Sequence, residues 1–276
     1  MERMKLATIR TNSGTRAAVV DRGKLLPLVF KDVGAWLQAG SPEWSGHVDG
    51  APVNPEEADF APVVPTPGKI ICVGLNYRDH ILEMGRELPE YPTLFAKFAD
   101  SLIGARDDIV LPPDSISVDW EGELAVIIGT TVSRADEAIA RKAIAGFAVA
   151  NDVSARDFQR RTPEWLQGKT FDQTTPLGPY LVTVDETGPE PDLDISCAVD
   201  GNTKQHSRTS ELVFGPVALI RYISAITSLH PGDVILTGTP GGVGDGRNPK
   251  EFLEPGSVLE TSINTLGATA NRCVIR

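Results

Sequence analysis

The stretch from Val118 to Gly129 most constrains how this chain can fold, because a polar start leads into a continuous run of apolar, largely β-branched residues. Such a run predicts a strand that enters a buried sheet and ends at Gly129. Side chains alternate faces along a strand, so Glu121 and Glu123 are expected to point the same way. Two adjacent carboxylates repel unless one is protonated, a basic side chain intervenes or a cation binds. The pair therefore indicates either a divalent-cation site or a solvated, charged strand end.

A third carboxylate follows a second predicted strand. Ile144 to Ala150 is apolar and ends at Asn151-Asp152. An Asp directly after a buried strand commonly caps the next helix. Asp152 would equally complete a cation site with Glu121 and Glu123, because hard divalent ions prefer oxygen ligands. The residues alone leave both interpretations open.

Charge and cysteine content exclude several classes of protein. The 276 residues carry a formal net charge of −11, so we predict no nucleic-acid partner and no anionic membrane surface, both of which need a basic footprint. The three cysteines are widely spaced and form no CxxC pair, so the prediction is a reducing cytoplasm without a disulfide framework or zinc site. No apolar run approaches membrane-spanning length, and the first residues lack a signal-peptide core, so neither export nor an anchor is expected.

The chain is predicted to divide at a proline-rich stretch. Residues 1–62 begin with a hairpin pattern and include a short helix that Asp32 can cap, and residues 63–68 form a Pro-rich linker. The first piece is near the lower size limit for a self-sufficient core, so we expect a small α/β accessory domain that packs against the rest. Residues 69–276 carry the clustered chemistry and form the second predicted domain.

Patterns in the second domain predict mainly strands, with few and short helices. Apolar residues recurring at helical spacing predict one amphipathic helix over Val217–Ile226. The fold class that follows is a mixed, β-rich α+β fold. The other predicted elements are strands at Ile70–Gly74, Leu94–Phe98, Pro179–Val184, Asp233–Leu236, Val258–Ile263 and Arg272–Ile275, a hairpin around Gly201-Asn202, and helices at Ala135–Ala143 and Ser154–Gln159.

A histidine and a glutamate form a candidate general base. Asn76 is expected to cap a short helix on which His80 and Glu83 lie three residues apart. A carboxylate raises the basicity of a neighbouring imidazole and orients it, as a general base requires. The alternative is an exposed helix face with an incidental ion pair. His206 and His230 have no such neighbour and are expected to be structural or exposed.

Two lysines and a glycine-rich loop are candidates for anion binding. Lys97 lies among apolar residues in a predicted strand, and would either bind a substrate anion or extend to water. Lys169 follows Gly168 near acidic residues, and would orient an anionic substrate or only offset negative charge. The loop Thr237–Gly244 offers backbone N–H groups and a hydroxyl to a carboxylate or enolate oxygen, but lacks the ending of a nucleotide-binding loop.

Six motifs follow one another along the chain. They are Gly-Leu-Asn-Tyr-Arg-Asp-His-Ile-Leu-Glu-Met (74–84), Leu-Phe-Ala-Lys (94–97), Glu-Gly-Glu-Leu-Ala-Val-Ile-Ile-Gly (121–129), Asn-Asp-Val-Ser-Ala-Arg-Asp (151–157), Gly-Lys-Thr-Phe-Asp (168–172) and Leu-Thr-Gly-Thr-Pro-Gly-Gly-Val-Gly (236–244). Each motif is unspecific alone, but in this order they resemble the fumarylacetoacetate hydrolase superfamily from Lys69 to Arg276. The N-terminal piece resembles the accessory domain that many members carry.

The resemblance implies a catalytic β-fold with short helices, usually in a homodimer. It implies one Mg²⁺, Mn²⁺ or Ca²⁺ ion held by carboxylates, which by motif position are Glu121, Glu123 and Asp152. The small-molecule substrate of such an enzyme would be a dicarboxylic or diketo acid.

The resemblance also implies catalytic and substrate-binding residues. The catalytic dyad of the family matches His80 and Glu83, on a segment that acts as a lid in relatives. Many members have proline where Phe98 follows Lys97, so this chain departs from the family on the lid side of the pocket. The other matching positions are the catalytic Lys169 and the substrate-binding Tyr77, Lys97, Arg156, Gln159, Gly238 and Thr239.

The reaction that the resemblance implies is hydrolytic C–C cleavage of an acylpyruvate or fumarylpyruvate-type acid through a metal-chelated enolate. In that reaction His80 and Glu83 activate water for attack on the distal carbonyl. Without the water, the same enolate chemistry gives an isomerase of 2-hydroxydienedioates or an oxaloacetate decarboxylase. A metal-stabilised binding protein is the alternative outside enzymes. Residues 85–92 are expected to shape the pocket for the substrate tail.

Overall fold

The β-strands account for most of the regular structure in the computed structural model, which describes residues 4–78, 81 and 87–276. The strands are β1 Lys5–Thr11, β2 Gly14–Asp21, β3 Lys24–Pro27, β4 Ile70–Gly74, β5 Thr93–Lys97, β6 Leu102–Ile103, β7 Ile109–Val110, β8 Val118–Asp119, β9 Gly122–Ile128, β10 Ile144–Asn151, β11 Ser154–Ala155, β12 Thr175–Thr183, β13 Asp194–Val199, β14 Asn202–Arg208, β15 Val234–Leu236, β16 Val258–Ile263 and β17 Gly267–Val274.

Helices in the described residues are few and short, which confirms the predicted β-rich class. Asp32 caps the first, since its Oδ1 accepts the Ala35 N–H at 2.7 Å. None of these helices is long and apolar enough to cross a membrane. They are α1 Val33–Gln38, α2 Glu137–Ala143, α3 Arg156–Gln159, α4 Leu166–Lys169, α5 Val184–Thr187 and α6 Pro216–Ile226, with 3₁₀ turns at Trp44–His47, Ala99–Ser101, Thr209–Glu211 and Gly244–Gly246.

One large mixed sheet has the order β3-β2-β1-β12-β10-β9-β15-β4-β5, with β6 also paired to β12. A five-stranded sheet has the order β14-β13-β16-β17-β7, and β8 pairs with β11. The N-terminal strands extend the large sheet, because β1 runs antiparallel to β12. They therefore pack against the rest, and the division into domains at residues 63–68 stays a prediction.

The central strands β9 and β10 are buried along their whole length. Leu124, Val126 and Ile128 belong to an apolar cluster that includes residues of α6. Ala125 and Ile127 belong to a second cluster that includes residues of the N-terminal strands and α1. Apolar residues thus cover both faces of β9, which explains why its sequence is continuously apolar instead of alternating.

Several predicted boundaries are wrong for physical reasons. The stretch from Val118 to Ile128 is broken at Trp120-Glu121, because β8 pairs with β11 whereas β9 pairs with β10 and β15. Strand β12 starts earlier than predicted, because Pro176 and Pro179 lie within it and proline in a sequence argues against a strand. Strand β17 also starts earlier, because its buried face carries the polar Thr269 and Asn271. Two smaller corrections are that residues 154–155 form β11 instead of helix, and that the predicted turn at 185–188 is mostly α5.

Candidate metal centre and active-site cleft

Three buried carboxylates meet where β9 and β10 lie side by side. The antiparallel ladder places Ala150 opposite Glu123 and Asn151 opposite Gly122. The Asp152 N–H donates to the Glu121 carbonyl at 2.8 Å, which continues the pairing past the strand ends. One carboxylate oxygen from each of Glu121, Glu123 and Asp152 lies within 4.8 Å of the other two. The predicted cluster therefore forms, and its burial rules out the solvated strand end.

Asn151 holds the backbone of this cluster in place. Its Oδ1 accepts the Glu121 N–H at 2.9 Å, and its Nδ2 donates to Thr261 Oγ1 at 2.9 Å. Asp152 does not cap a helix, because its side-chain oxygens accept from lysines and the residue that precedes α3 is Ala155. No role was predicted for Asn151, although its position beside Asp152 at a strand end was a signal in the sequence.

Three basic side chains pair with two of the three carboxylates. Lys169 Nζ lies 2.5 Å from Glu121 Oε2 and 2.8 Å from Asp152 Oδ2, so it bridges them. Arg156 Nη2 lies 2.7 Å from Glu121 Oε1 and also contacts Asp119. Lys97 Nζ donates to Asp152 Oδ1 at 2.6 Å. Since the Lys97 side chain is fully buried, the alternative in which it extends to water is wrong.

Glu123 differs from its two neighbours, because no Lys or Arg in residues 4–78, 81 and 87–276 forms an ion pair with it. It is 2% exposed, and its Oε2 accepts the Gly238 N–H at 2.7 Å. Burial, followed by the charges of Asp152 and Glu121, raises the pKa of Glu123 well above its usual range. Although burial opposes ionisation of Glu121, the charges of Arg156 and Lys169 lower the pKa of that carboxyl group.

An oxygen-only site with one uncompensated carboxylate fits a hard divalent cation. Glu121, Glu123 and Asp152 would hold the ion, and Lys169 lies against two of these carboxylates. The choice among Mg²⁺, Mn²⁺ and Ca²⁺ stays a prediction.

Two of the carboxylates, Glu121 and Glu123, line a cleft of about 280 Å³. Six residues that the sequence analysis selected line it, namely Glu121, Glu123, Arg156, Gln159, Lys169 and Thr239. No role at the site was predicted for the other residues of the described lining, which are Val73, Gly74, Leu75, Phe95, Arg160, Thr162 and Trp165.

The remaining selected residues lie elsewhere. The described lining does not include Lys97, Asp152, Gly238 or the buried Tyr77. Asp152 belongs to the carboxylate cluster, and Lys97 and Gly238 hold carboxylates of that cluster. His80 and Glu83 lie outside the described residues. His206 and His230 are exposed, as predicted.

Two hydrogen bonds within the protein hold the Thr239 hydroxyl group and leave it able only to accept a hydrogen bond from a ligand. Its Oγ1 donates to the Gly122 carbonyl at 3.0 Å and accepts from Gln205 Nε2 at 2.8 Å. The hydroxyl hydrogen is therefore used inside the protein, and the oxygen keeps one lone pair as an acceptor for a ligand. Gln205 Oε1 also accepts the Gly122 N–H at 2.9 Å, so one buried amide links the Glu-Gly-Glu segment to the loop after β15. No local sequence signal marks Gln205 for this role.

Replacing Gln205 tests this link. We expect Gln205→Leu to destabilise the protein by about 1–3 kcal/mol, because the buried Gly122 N–H loses its acceptor. Loosening of the support around Glu121 and Thr239 should lower kcat/KM about tenfold or more. Gln38→Leu, an exposed position at the end of α1, is the matched control. Urea unfolding and steady-state kinetics provide the measurements, and unchanged kinetics in a folded Gln205→Leu variant would show that the link does not matter for the site.

Buried carboxylates at the floor of a small cleft, with a lysine between two of them, are typical of an enzyme that acts on a small molecule. A family profile described as "Fumarylacetoacetate (FAA) hydrolase C-terminal" matches residues 69–274. The chain therefore belongs to the fumarylacetoacetate hydrolase family, as its ordered motifs predicted, and is an enzyme of that superfamily. Family membership favours an enzyme over the alternative of a binding protein.

Relatives of this chain carry names that specify different reactions. A Bos taurus protein named "Oxaloacetate tautomerase FAHD2A, mitochondrial" is 42% identical over 269 residues, which cover 95% of this chain and 86% of that protein. Among solved structures, a fumarylacetoacetate hydrolase from Exiguobacterium antarcticum has a TM-score of 0.90 at 31% identity, covering 99% of this chain and 100% of that one. A 2-hydroxyhepta-2,4-diene-1,7-dioate isomerase from Mycobacterium marinum has a TM-score of 0.82 at 30% identity, with 99% of each chain covered.

Proposed function

We propose that this enzyme interconverts the keto and enol forms of a short 2-oxo dicarboxylic acid, with oxaloacetate as the substrate to test first. The observation that carries the proposal is the buried Lys169, which lies beside a carboxylate cluster in a cleft of about 280 Å³. A cleft of that size suits a small acid, and the similarity to a protein named oxaloacetate tautomerase supports the choice. This proposal shares proton transfer with the predicted isomerase of 2-hydroxydienedioates and takes its substrate from the predicted oxaloacetate decarboxylase. It places proton transfer ahead of the hydrolysis that was predicted first.

The residues of the cleft suit proton transfer next to a carbonyl group. A divalent ion on Glu121, Glu123 and Asp152 would supply Lewis acidity at the 2-oxo acid end of the substrate. The Lys169 ammonium group lies where it can stabilise negative charge that develops on the substrate oxygen, in a site shielded from water. The Thr239 oxygen, as an acceptor, suits the hydroxyl group of the enol form better than the keto oxygen.

His80 and Glu83 remain the proposed base that moves the proton at the adjacent carbon. A tautomerase needs this base only for proton transfer, whereas a hydrolase also needs it to activate a water molecule.

Hydrolysis of an acylpyruvate is the second candidate, because the similarity to the Exiguobacterium antarcticum fumarylacetoacetate hydrolase favours it. Decarboxylation of oxaloacetate would break a C–C bond of the keto form, release CO₂ and leave the enolate of pyruvate, whose negative charge the same site would stabilise. The homodimer and the cytoplasmic location stay predictions, and the bovine relative's name gives a mitochondrial location for that protein.

The three reactions can be separated with two substrates. We expect the enzyme with Mg²⁺ to accelerate loss of the ultraviolet absorbance of enol-oxaloacetate well above the rate in Mg²⁺ buffer, and EDTA to remove most of the acceleration. Pyruvate release, measured with lactate dehydrogenase, reports decarboxylation, and acetylpyruvate reports hydrolysis. Faster pyruvate release from acetylpyruvate than tautomerisation of oxaloacetate would replace the proposal by the hydrolase. If the enzyme turns over neither oxaloacetate nor acetylpyruvate, the proposed tautomerase and the alternative hydrolase are both contradicted.

A further inference from the structure

Among the described residues, the cleft is lined by three permanent cations, Arg156, Arg160 and Lys169. Arg156 is buried and held on three sides, because its Nε and Nη2 contact Asp119, its Nη2 also contacts Glu121 and its Nη1 donates to Gln159. Lys169 is likewise held between Glu121 and Asp152. Moving Arg156 to a second substrate carboxylate would leave the buried Asp119 without its basic partner, and moving Lys169 would break two buried ion pairs at once. Both changes are strongly unfavourable.

Arg160 is different, because it is the exposed residue of the described lining and follows α3 directly. Its side chain is 54% exposed, and its Nη2 pairs with Asp245 Oδ2. Its Nε and Nη1 have no acceptor within residues 4–78, 81 and 87–276. Asp245 also pairs with Lys250, at 2.7 Å through its other oxygen, so it stays neutralised when Arg160 turns toward a ligand. An exposed ion pair of this kind contributes little and is easily shared.

We propose that Arg160 determines specificity by binding the distal carboxylate of a dicarboxylic substrate whose 2-oxo acid end lies at the carboxylate cluster. The inference rests on the proposed function for the orientation of the substrate. A guanidinium group suits this role, because its planar donors match a carboxylate in a bidentate pair. The buried Arg156 and Lys169 neutralise carboxylates at the inner end of the cleft, and Arg160 binds the substrate carboxylate at the outer end. Monocarboxylic 2-oxo acids lack the group that Arg160 binds.

Equilibrium titration tests this without requiring turnover. The probes are oxaloacetate and 2-oxobutyrate, four-carbon 2-oxo acids with and without the distal carboxylate, added to Mg²⁺-loaded protein in a calorimeter. Wild-type protein should bind oxaloacetate more tightly than 2-oxobutyrate. Arg160→Gln should weaken oxaloacetate binding about tenfold or more and leave 2-oxobutyrate within about twofold, and Arg160→Lys should restore part of the loss. Arg161→Gln is the control, because Arg161 is exposed and stacks on Phe158 outside the described lining.

The outcomes test the role of Arg160 separately from the proposed reaction. Equal binding of the two acids by wild-type protein, or an unchanged preference in Arg160→Gln, overturns the role of Arg160. An equal loss for both acids also overturns it, because the residue would then shape the cleft in general. A preference for oxaloacetate that depends on Arg160, in a protein that fails to tautomerise oxaloacetate, supports the Arg160 site and contradicts only the proposed reaction.

Discussion

Glu123→Gln is expected to abolish binding of a divalent cation and to leave the cation-free protein as stable as wild type or more stable. Glu123 is buried beside Glu121 and Asp152 without a basic partner in the described chain, so its negative charge is unfavourable when no cation is present. The substitution removes that charge, and the amide oxygen can still accept the Gly238 N–H. The same change removes a ligand, so cation affinity and kcat/KM should each fall more than about 100-fold.

Glu121→Gln is the matched comparison, two residues away with the same change of side chain. Glu121 neutralises Arg156 and Lys169, so its loss leaves two buried cations short of negative charge. We expect Glu121→Gln to destabilise the cation-free protein by about 3 kcal/mol and also to abolish cation binding. In EDTA, only Glu121→Gln should therefore lose stability, whereas both variants should lose cation binding.

Thermal unfolding in EDTA and in Mg²⁺, with calorimetric titration of Mg²⁺, measures both effects. At an Mg²⁺ concentration of about 100 times Kd, wild-type protein should gain about 2.7 kcal/mol, or roughly 5–10 °C in Tm, and neither variant should gain it. An Mg²⁺-dependent shift that survives in Glu123→Gln would show that Glu123 is not a ligand. A large loss of stability of this variant in EDTA would show that the carboxylate is already compensated within the protein.

The carboxylate cluster was predictable because its geometry is local. Glu121 directly precedes β9 and Glu123 lies near its start, and Asp152 directly follows β10, the next long strand along the chain. Sequential antiparallel strands commonly pair, so the ends of β9 and β10 were expected to meet. The residues alone could not decide between a cation site and a solvated strand end. Burial decides it, because both faces of β9 are covered by apolar residues from distant parts of the chain.

The partners of the cluster were not predictable, because they depend on the order of strands in the sheets. Lys97 reaches Asp152 from β5, at the far edge of the large sheet. Gln205 reaches Thr239 from β14, in the other sheet. Neither strand order follows from hydrophobic periodicity, which reports burial of one strand and not its neighbours. The same limit applies to Arg160, whose position in the cleft depends on where α3 packs.

Lys169→Met and Lys97→Met are expected to destabilise the protein to a similar degree and to differ strongly in activity. Each lysine is buried and binds Asp152, so each substitution removes one cation from a buried pair and should cost about 3 kcal/mol in EDTA. Lys169 lines the cleft and Lys97 is not among its described lining residues. The loss of Lys169 should therefore also remove stabilisation of the charge that develops on the substrate.

The expected loss of kcat is about 10²–10³-fold for Lys169→Met, which is the usual effect of removing one donor from a developing anion. Lys97→Met should keep kcat within about tenfold of wild type, because Asp152 retains Lys169 as a partner. Steady-state kinetics well below each Tm, with urea unfolding in parallel, separates the two effects. Equal losses of kcat in the two variants would mean that both lysines act only by holding Asp152, and that negative charge on the substrate is stabilised by a different group.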